Sequence, residues 1–353
     1  MKSFTSKLRV YEKWKLLFLS TLGVSLFFSL LWWVGFERLL SIFSTVEISW
    51  LVLSILLGFI VYPVRAWRWR ILLTPIKNPI KFPTIFWVSV AGYMFNVVIP
   101  VRVGEPLRAA LLSGKEGLDF LGCLSSVLVE RILDLIFVAG LVAITLILLP
   151  IQVRLPLWVS SGLVLTGIIA GLVLILLIFS IRWEGKILSI LKKISSFLPA
   201  TNKLKVKILQ WFSSIICGAK SLTYNLRTTL MVIVSTLIVW ITNFFALFFL
   251  FMAFRFTLPI LLMILIYGLV TLILILPAPP GYTGTYETFW LLVFLCVGLS
   301  ETDIVLALGV ANHVIMLLTS LFLGLLGLSW LGLSFTEILK KGKKMFKNTY
   351  WKV

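Results

Sequence analysis

Gly92-Tyr93-Met94-Phe95-Asn96-Val97-Val98-Ile99-Pro100-Val101-Arg102-Val103-Gly104-Glu105-Pro106-Leu107-Arg108 is the stretch on which the reading of this chain turns. An apolar run reaches Pro100, breaks, delivers Arg102, Gly104, Glu105 and Arg108, and then becomes apolar again. Pro100 and Pro106 remove backbone donors and Gly104 frees the backbone, so a helix is expected to break here. Unpaired backbone in hydrocarbon costs on the order of several kcal/mol per group, so such a break needs protein or trapped water around it. Charges placed at the break are functional candidates.

The stretch has a second copy. The apolar run 258–276 leads into Pro277-Ala278-Pro279-Pro280-Gly281-Tyr282-Thr283-Gly284-Thr285-Tyr286-Glu287. Both copies read apolar segment, proline, glycine, glutamate, apolar segment. Glu105 precedes Arg131 by 26 residues, and Glu287 precedes His313 by 26. Gly/Pro-interrupted segments in corresponding positions of two halves point to the substrate site of a transporter.

Composition sets the solvent. Hydrophobic residues fill 60% of the 353 positions and mean hydropathy is +1.10. Soluble domains run about 45–50% apolar, so an all-α polytopic membrane protein is expected. The net charge of +19 gathers at the N-terminus, at 65–81, at 182–227 and after 339. That is a positive-inside distribution rather than a nucleic-acid footprint, and no nucleic-acid partner is expected. Basic juxtamembrane segments attract anionic headgroups by about 1 kcal/mol per residue near the surface. Cys123, Cys217 and Cys296 are scattered in apolar surroundings and read as small buried hydrophobes. His313 is the single histidine and has no neighbouring acid or cysteine cluster, so zinc motifs, and cofactors generally, are not expected. No Gly-x4-Gly-Lys-Ser/Thr occurs.

Loop charges then order the segments. Six spans are expected near 16–35, 48–66, 119–149, 157–181, 228–253 and 304–331, the first a retained helix rather than a cleaved signal. Two re-entrant hairpins are expected, one running 82–100 and 101–115, the other 258–276 and 284–299. Residues 182–227 read as amphipathic helices on the cytoplasmic face, parted by Pro199 and Asn202. They link a first repeat, 46–150, to a second, 228–331, within one transmembrane domain, 1–353. The first hairpin enters from the cytoplasm and the second from outside, which makes an inverted-topology repeat whose breaks meet near the midplane. Both termini are expected in the cytoplasm, and the chain in the cell inner (plasma) membrane.

The candidate site follows from these breaks. Arg65 and Arg68 read either as interfacial anchors or as a forked grip on phosphate. Arg102, Arg108 and Arg131 are placed to neutralise phosphate. Arg131 and Asp134 are three apart on one helix and are expected to pair, with Glu130 pointing away from that face. Glu105 and Glu287 either hold the arginines or bind a cationic headgroup or a coupling proton. Tyr93, Asn96 and Tyr286 supply neutral hydrogen bonds. Asn312 and His313 read equally as interhelical hydrogen-bonding groups or as substrate contacts. The helix limb after Gly104 can turn its positive end toward phosphate.

Taken together, Tyr93…Asn96…Pro100-Val-Arg102-Val-Gly104-Glu105…Arg108, Glu130-Arg131…Asp134 and Pro280-Gly281…Gly284…Glu287, with Arg65-Ala-Trp-Arg68-Trp-Arg70, resemble the integral-membrane region of lysylphosphatidylglycerol synthases. The resemblance covers nearly the whole chain. It implies a flippase-like, lipid-translocating fold with two re-entrant elements, in bacteria or archaea. The soluble aminoacyl-transferring domain of the full synthases is absent here, so no synthase activity is expected. The family often carries an arginine where this chain has His313. Its members serve aminoacylated phospholipids, hopanoid-related lipids and polyprenyl-linked sugars, so the lipid stays open. The leading expectation is a non-enzymatic transporter that moves an anionic phospholipid or lipid-linked headgroup between leaflets by alternating access. The alternatives are an intramembrane lipid-modifying enzyme with Glu105 and Glu287 as an acid/base pair, and a non-transporting partner of a glycosyltransferase or of a lipid- or glycan-synthesising enzyme.

Overall fold

The computed structural model describes residue 21, residues 24–30, 32–77, 79–99, 103–149, scattered positions from 157 to 193, 225–274 and 279–334. Every regular element among the described residues is helical. In chain order these are α1 (Phe36–Ser44), α2 (Ile48–Leu72), α3 (Phe82–Val98), α4 (Gly104–Glu116), α5 (Phe120–Leu148), α6 (Leu226–Ala253), α7 (Ile260–Ile273), α8 (Thr285–Cys296) and α9 (Thr302–Leu331). A short 3-10 turn, Pro280–Tyr282, lies between α7 and α8.

Four helices, α2, α5, α6 and α9, are long and apolar enough to cross a membrane. A fifth crossing results if Val24–Val34 and α1, bent by 77°, count as one span. Six were expected. The expected span 16–35 is described in part, as Val24–Val34, the expected span 157–181 is described only at scattered positions, and most of the linker 182–227 lies outside the described residues. Two boundaries differ from the sequence reading. Residues 36–44 form a helix rather than a loop, set off by Gly35 at φ 92°. α2 continues to Leu72 instead of ending near 66, and Arg68 in its last turns finds acidic partners inside the protein.

Local chemistry sets most ends. The Asp119 carboxylate accepts from the Gly122 amide at 2.8 Å and starts α5; Asn225 accepts from Thr228 at 2.7 Å and starts α6. Gly117 and Gly332, both at φ 65°, close α4 and α9. α3 and α4 form the expected hairpin, and two glycines allow it. A Cβ on Gly92 would lie 2.8 Å from the Arg108 Cβ and 3.0 Å from the Gly104 carbonyl oxygen; one on Gly104 would collide with the Gly92 carbonyl oxygen.

The order long, short, short, long occurs twice: α2 to α5 have 25, 17, 13 and 29 residues, and α6 to α9 have 28, 14, 12 and 30. The packing follows the same order. α2 lies along α6. α3 packs on α9 of the other half, as α7 packs on α5, while α4 packs on α5 and α8 on α9. The cross-half contacts are close where glycines face larger groups: Gly324 against Met94, Gly327 against the Trp87 backbone, and Gly268 against Val142. Small residues serve membrane helices in this way, because lipid leaves van der Waals packing to hold them together. Large apolar side chains such as Ile147, Leu226 and Leu318 face outward.

Charged contacts mark the two ends of the bundle. Glu47 meets Arg255 at 2.8 Å and Arg38 meets Asp303 at 3.4 Å at one end. Lys77 meets Glu116 at 2.9 Å, and the Lys115 ammonium sits 4.0 Å from the Trp330 ring, at the other. The length of α2 separates them, about 37 Å at 1.5 Å per residue.

Candidate functional site

Three guanidiniums and three carboxylates interlock where α2, α4 and α5 meet. Arg68 Nη1 donates to Asp134 Oδ1 at 2.6 Å, and its Nη2 to Glu130 Oε1 at 2.8 Å. Arg108 Nη2 donates to the other Glu130 oxygen at 2.6 Å, and its Nη1 to the Tyr93 hydroxyl at 3.1 Å. Arg108 also lies 2.9 Å from Glu105 Oε2, although out of line for a hydrogen bond. Arg131 touches Glu130 at 3.0 Å, and Glu105 and Asp134 at 3.5 Å each. Asn96 donates to Glu105 at 3.2 Å. Arg68, Arg108 and Glu130 are fully buried. Buried charges persist only when paired and hydrogen-bonded, and here the formal charges of the six cancel.

The expected Arg131–Asp134 contact is present. The expectation for Glu130 is corrected. It does not point away but receives Arg68, Arg108 and Arg131, because α2 and α4 flank α5 and bring cations to it from both. An acid inside a 29-residue apolar helix, in a chain with arginines at a break, was the signal available for it. Arg68 proves to be a member of the interior network rather than an interfacial anchor.

Arg65 stands apart. It has no acidic partner among the described residues; its guanidinium carbon lies 5.7 Å from the centre of the Tyr93 ring. One turn before Arg68, it faces a cavity of about 500 Å³ between the halves. Arg65, Arg131 and Asp134 line this cavity from the first half, and Tyr267, Tyr286 and Asn312 from the second. The rest of the lining is mostly apolar. No residue of α3 or α4 reaches the wall. Tyr93, Asn96, Glu105 and Arg108 therefore stand behind it, not in it as expected, and Arg131 is their link to it. The hairpin carries its polar groups toward α5, and α5 presents the cavity face. Arg102 lies outside the described residues, with Pro100 and Val101.

The second break is close to the first half: the turn Pro280–Tyr282 packs against α3. Here the polar set is small. His313 Nδ1 lies 2.6 Å from Glu287 Oε1, and Nε2 lies 2.6 Å from the Gly281 carbonyl oxygen. The Tyr286 ring stacks on the imidazole at 4.5 Å, and its hydroxyl accepts from Asn312 at 2.5 Å. In each half, then, the acid after the break touches the residue 26 positions on. Glu105 and Glu287 are each held by a basic partner of their own half. Among the described residues no three His, Cys, Asp or Glu side chains are placed to hold a metal ion.

Residues 20–335 match the family described as the lysylphosphatidylglycerol synthase TM region. A UPF0104 membrane protein of Methanothermobacter thermautotrophicus is 27% identical over 297 residues, covering 81% of this chain and 85% of that one. Another from the same organism is 23% identical over 341 residues, with 93% and 97% covered. A UPF0104 membrane protein of Pyrococcus horikoshii is 23% identical over 295 residues, with 79% and 87% covered. No solved structure matches the chain.

Proposed function

Because this chain belongs to the lysylphosphatidylglycerol synthase TM region family, we propose that it is a flippase-like transporter, not an enzyme, that carries the anionic headgroup of a lipid between leaflets. The observation that carries this reading is Arg65. Every other cation of the interior cluster is matched by an acid, so Arg65 leaves one positive charge facing an interior cavity. A guanidinium with no carboxylate is a fork open to phosphate. The volume of about 500 Å³ suits a headgroup, and the apolar part of the wall suits the first carbons of a tail. Tyr286, Asn312 and Tyr267 offer neutral hydrogen bonds on the opposite wall.

The recurring helix order and the matched packing pairs support an inverted repeat, with the halves rocking about the α2–α6 contact. The end bearing Glu47 and Asp303 is the outer one in this reading. The end bearing Lys77 and Lys115 is cytoplasmic, as are both termini, in the cell membrane. The natural partners are anionic phospholipids or polyprenyl-linked molecules.

Proteoliposomes holding fluorescent anionic and zwitterionic lipids test this. The wild type is expected to move the anionic lipid faster, and Arg65→Ala to lower that rate about tenfold or more. A charge-assisted hydrogen bond is worth about 1.5–3 kcal/mol. Equal rates for wild type and Arg65→Ala, or no preference for the anionic lipid, would overturn the proposal.

A further inference from the structure

Glu287 and His313 have no task in the proposal above, yet their geometry fixes how many protons they hold. The Gly281 carbonyl can only accept, so His313 Nε2 carries a hydrogen at that 2.6 Å contact. At 2.6 Å, Nδ1 and Glu287 Oε1 also need a hydrogen between them, whichever atom it rests on. The pair is either imidazolium facing carboxylate or imidazole facing carboxylic acid. Both forms are neutral, as a site only 1–3% exposed requires. Among the described residues Glu287 Oε2 has no hydrogen-bond partner, and His313 is the one side chain that offsets this acid. The separation leaves no room for a metal ion between nitrogen and oxygen.

We propose that Glu287 and His313 are the protein's proton-binding site, and that its proton is the coupling ion of lipid carriage. The site stands on its own geometry; the coupling rests on the transport reading. Release of one proton to water leaves a single hydrogen on the ring between two acceptors. The ring then serves Gly281 or Glu287, but not both. If it keeps Gly281, a buried carboxylate loses its one donor. If it turns to Glu287, the turn Pro280–Tyr282 is freed from α9. That turn is held in an uncommon backbone: Gly281 has φ 66° and the non-glycine Tyr282 has φ 55°. It also packs on α3, so its release reaches the first half. The cavity is linked to the site directly. Tyr286 and Asn312, which line it, are the chain neighbours of Glu287 and His313, and Tyr286 stacks on the imidazole.

The other ionisable groups around the pair are few. α8 brings Tyr286 and, at its end, Cys296; the turn brings Tyr282; α7 brings Tyr267; α3 brings Tyr93. α6 and α9 bring only Arg227 and Asp303, each in a first turn. From α2 and α5, Arg65, Arg131 and Asp134 face the cavity across from Tyr286 and Asn312. None of them replaces the missing proton on the ring.

Because His313 is the sole histidine, ring-15N-histidine labelling of the full chain in phosphatidylglycerol nanodiscs reads this site alone. As pH rises, the pair is expected to lose its shared hydrogen in a single step, which the ring nitrogens report whichever atom held it. Hydrogen exchange in 279–284 should rise over the same interval. In the isosteric Glu287→Gln the linked change in exchange should vanish, since the amide can donate to a neutral ring. A ring signal constant with pH, or identical behaviour in Glu287→Gln, would overturn the site. A pH gradient across proteoliposomes should accelerate anionic lipid movement in the wild type and not in Glu287→Gln. Movement indifferent to the gradient overturns the coupling. An intact ring step with no lipid movement at all overturns the transport reading and spares the site.

Discussion

Arg68 and Asp134 grip each other through two hydrogen bonds, Nη1 to Oδ1 at 2.6 Å and Nη2 to Oδ2 at 3.0 Å. The fork aims Arg68 along α5, so its Nη2 also reaches Glu130. Glu130 is thereby the centre of the network, touched by Arg68, Arg108 and Arg131. Asp134 is touched by two of these and is 19% exposed.

The first prediction follows from that difference. Glu130→Gln leaves an excess of buried positive charge and is expected to cost about 3–5 kcal/mol of stability. Asp134→Asn, closer to the cavity, is expected to cost about 1–3 kcal/mol. Thermal unfolding in detergent ranks the two. The reverse order would mean that Asp134, not Glu130, is the hub.

Arg65 should behave in the opposite way. It has an aromatic neighbour and, among the described residues, no acidic partner, so Arg65→Ala is expected to forfeit only about 0.5–1 kcal/mol of cation–π attraction. The unfolding temperature is expected to stay close to wild type while binding of anionic lipid, read by native mass spectrometry, falls about tenfold. Arg65→Lys keeps the charge but loses the fork, and should fall between. A large loss of stability in Arg65→Ala would show that Arg65 has a structural partner after all.

Much of this arrangement was legible in the chain. Proline and glycine punctuate the first hairpin strongly enough that 82–100 and 101–115 anticipated α3 and α4 closely. The equal spacing of Glu105 to Arg131 and of Glu287 to His313, read in the sequence only as a sign of a second copy, separates residues that the fold brings into contact. The division of labour among the charges was not legible. Arg65 and Arg68 are one turn apart, of one type and in one helix; only the positions of α5 and the cavity separate them. Glu130 was misplaced because a face was assigned to α5 alone, whereas two helices supply its partners. The glycines that let α3 meet α9 and α7 meet α5 sit in apolar runs, where nothing local shows what approaches them.

Gly104 gives the third prediction. Any Cβ there meets the Gly92 backbone and the Asn96 side chain, and backbone cannot step aside. Gly104→Ala is expected to cost about 1–3 kcal/mol or more through overpacking and to part α3 from α4. Gly114, in the same helix, has nothing within 4 Å of where a methyl group would stand, so Gly114→Ala should be neutral or slightly stabilising. Expression and unfolding in detergent compare the two. Equal effects would mean that the crossing is looser than described.

The last prediction concerns sidedness. Glu47–Arg255 and Arg38–Asp303 join segments far apart in sequence at one end of the bundle, and Lys77–Glu116 does so at the other. Each contact is at least partly exposed, so its residues meet water or headgroups rather than tail carbons. Cysteines at Glu47 and Asp303 should therefore react with a membrane-impermeant maleimide from the same side of sealed cells. Cysteines at Lys77 and Glu116 should react only after the membrane is opened if the basic end is cytoplasmic as proposed, since positively charged loops are retained on that side. The hairpin α3–α4 begins and ends near Lys77 and Glu116, so both positions must share a side if it is re-entrant. Labelling of Lys77 and Glu116 variants from opposite sides would make α3 and α4 a full crossing and overturn the inverted repeat and the alternating access proposed from it.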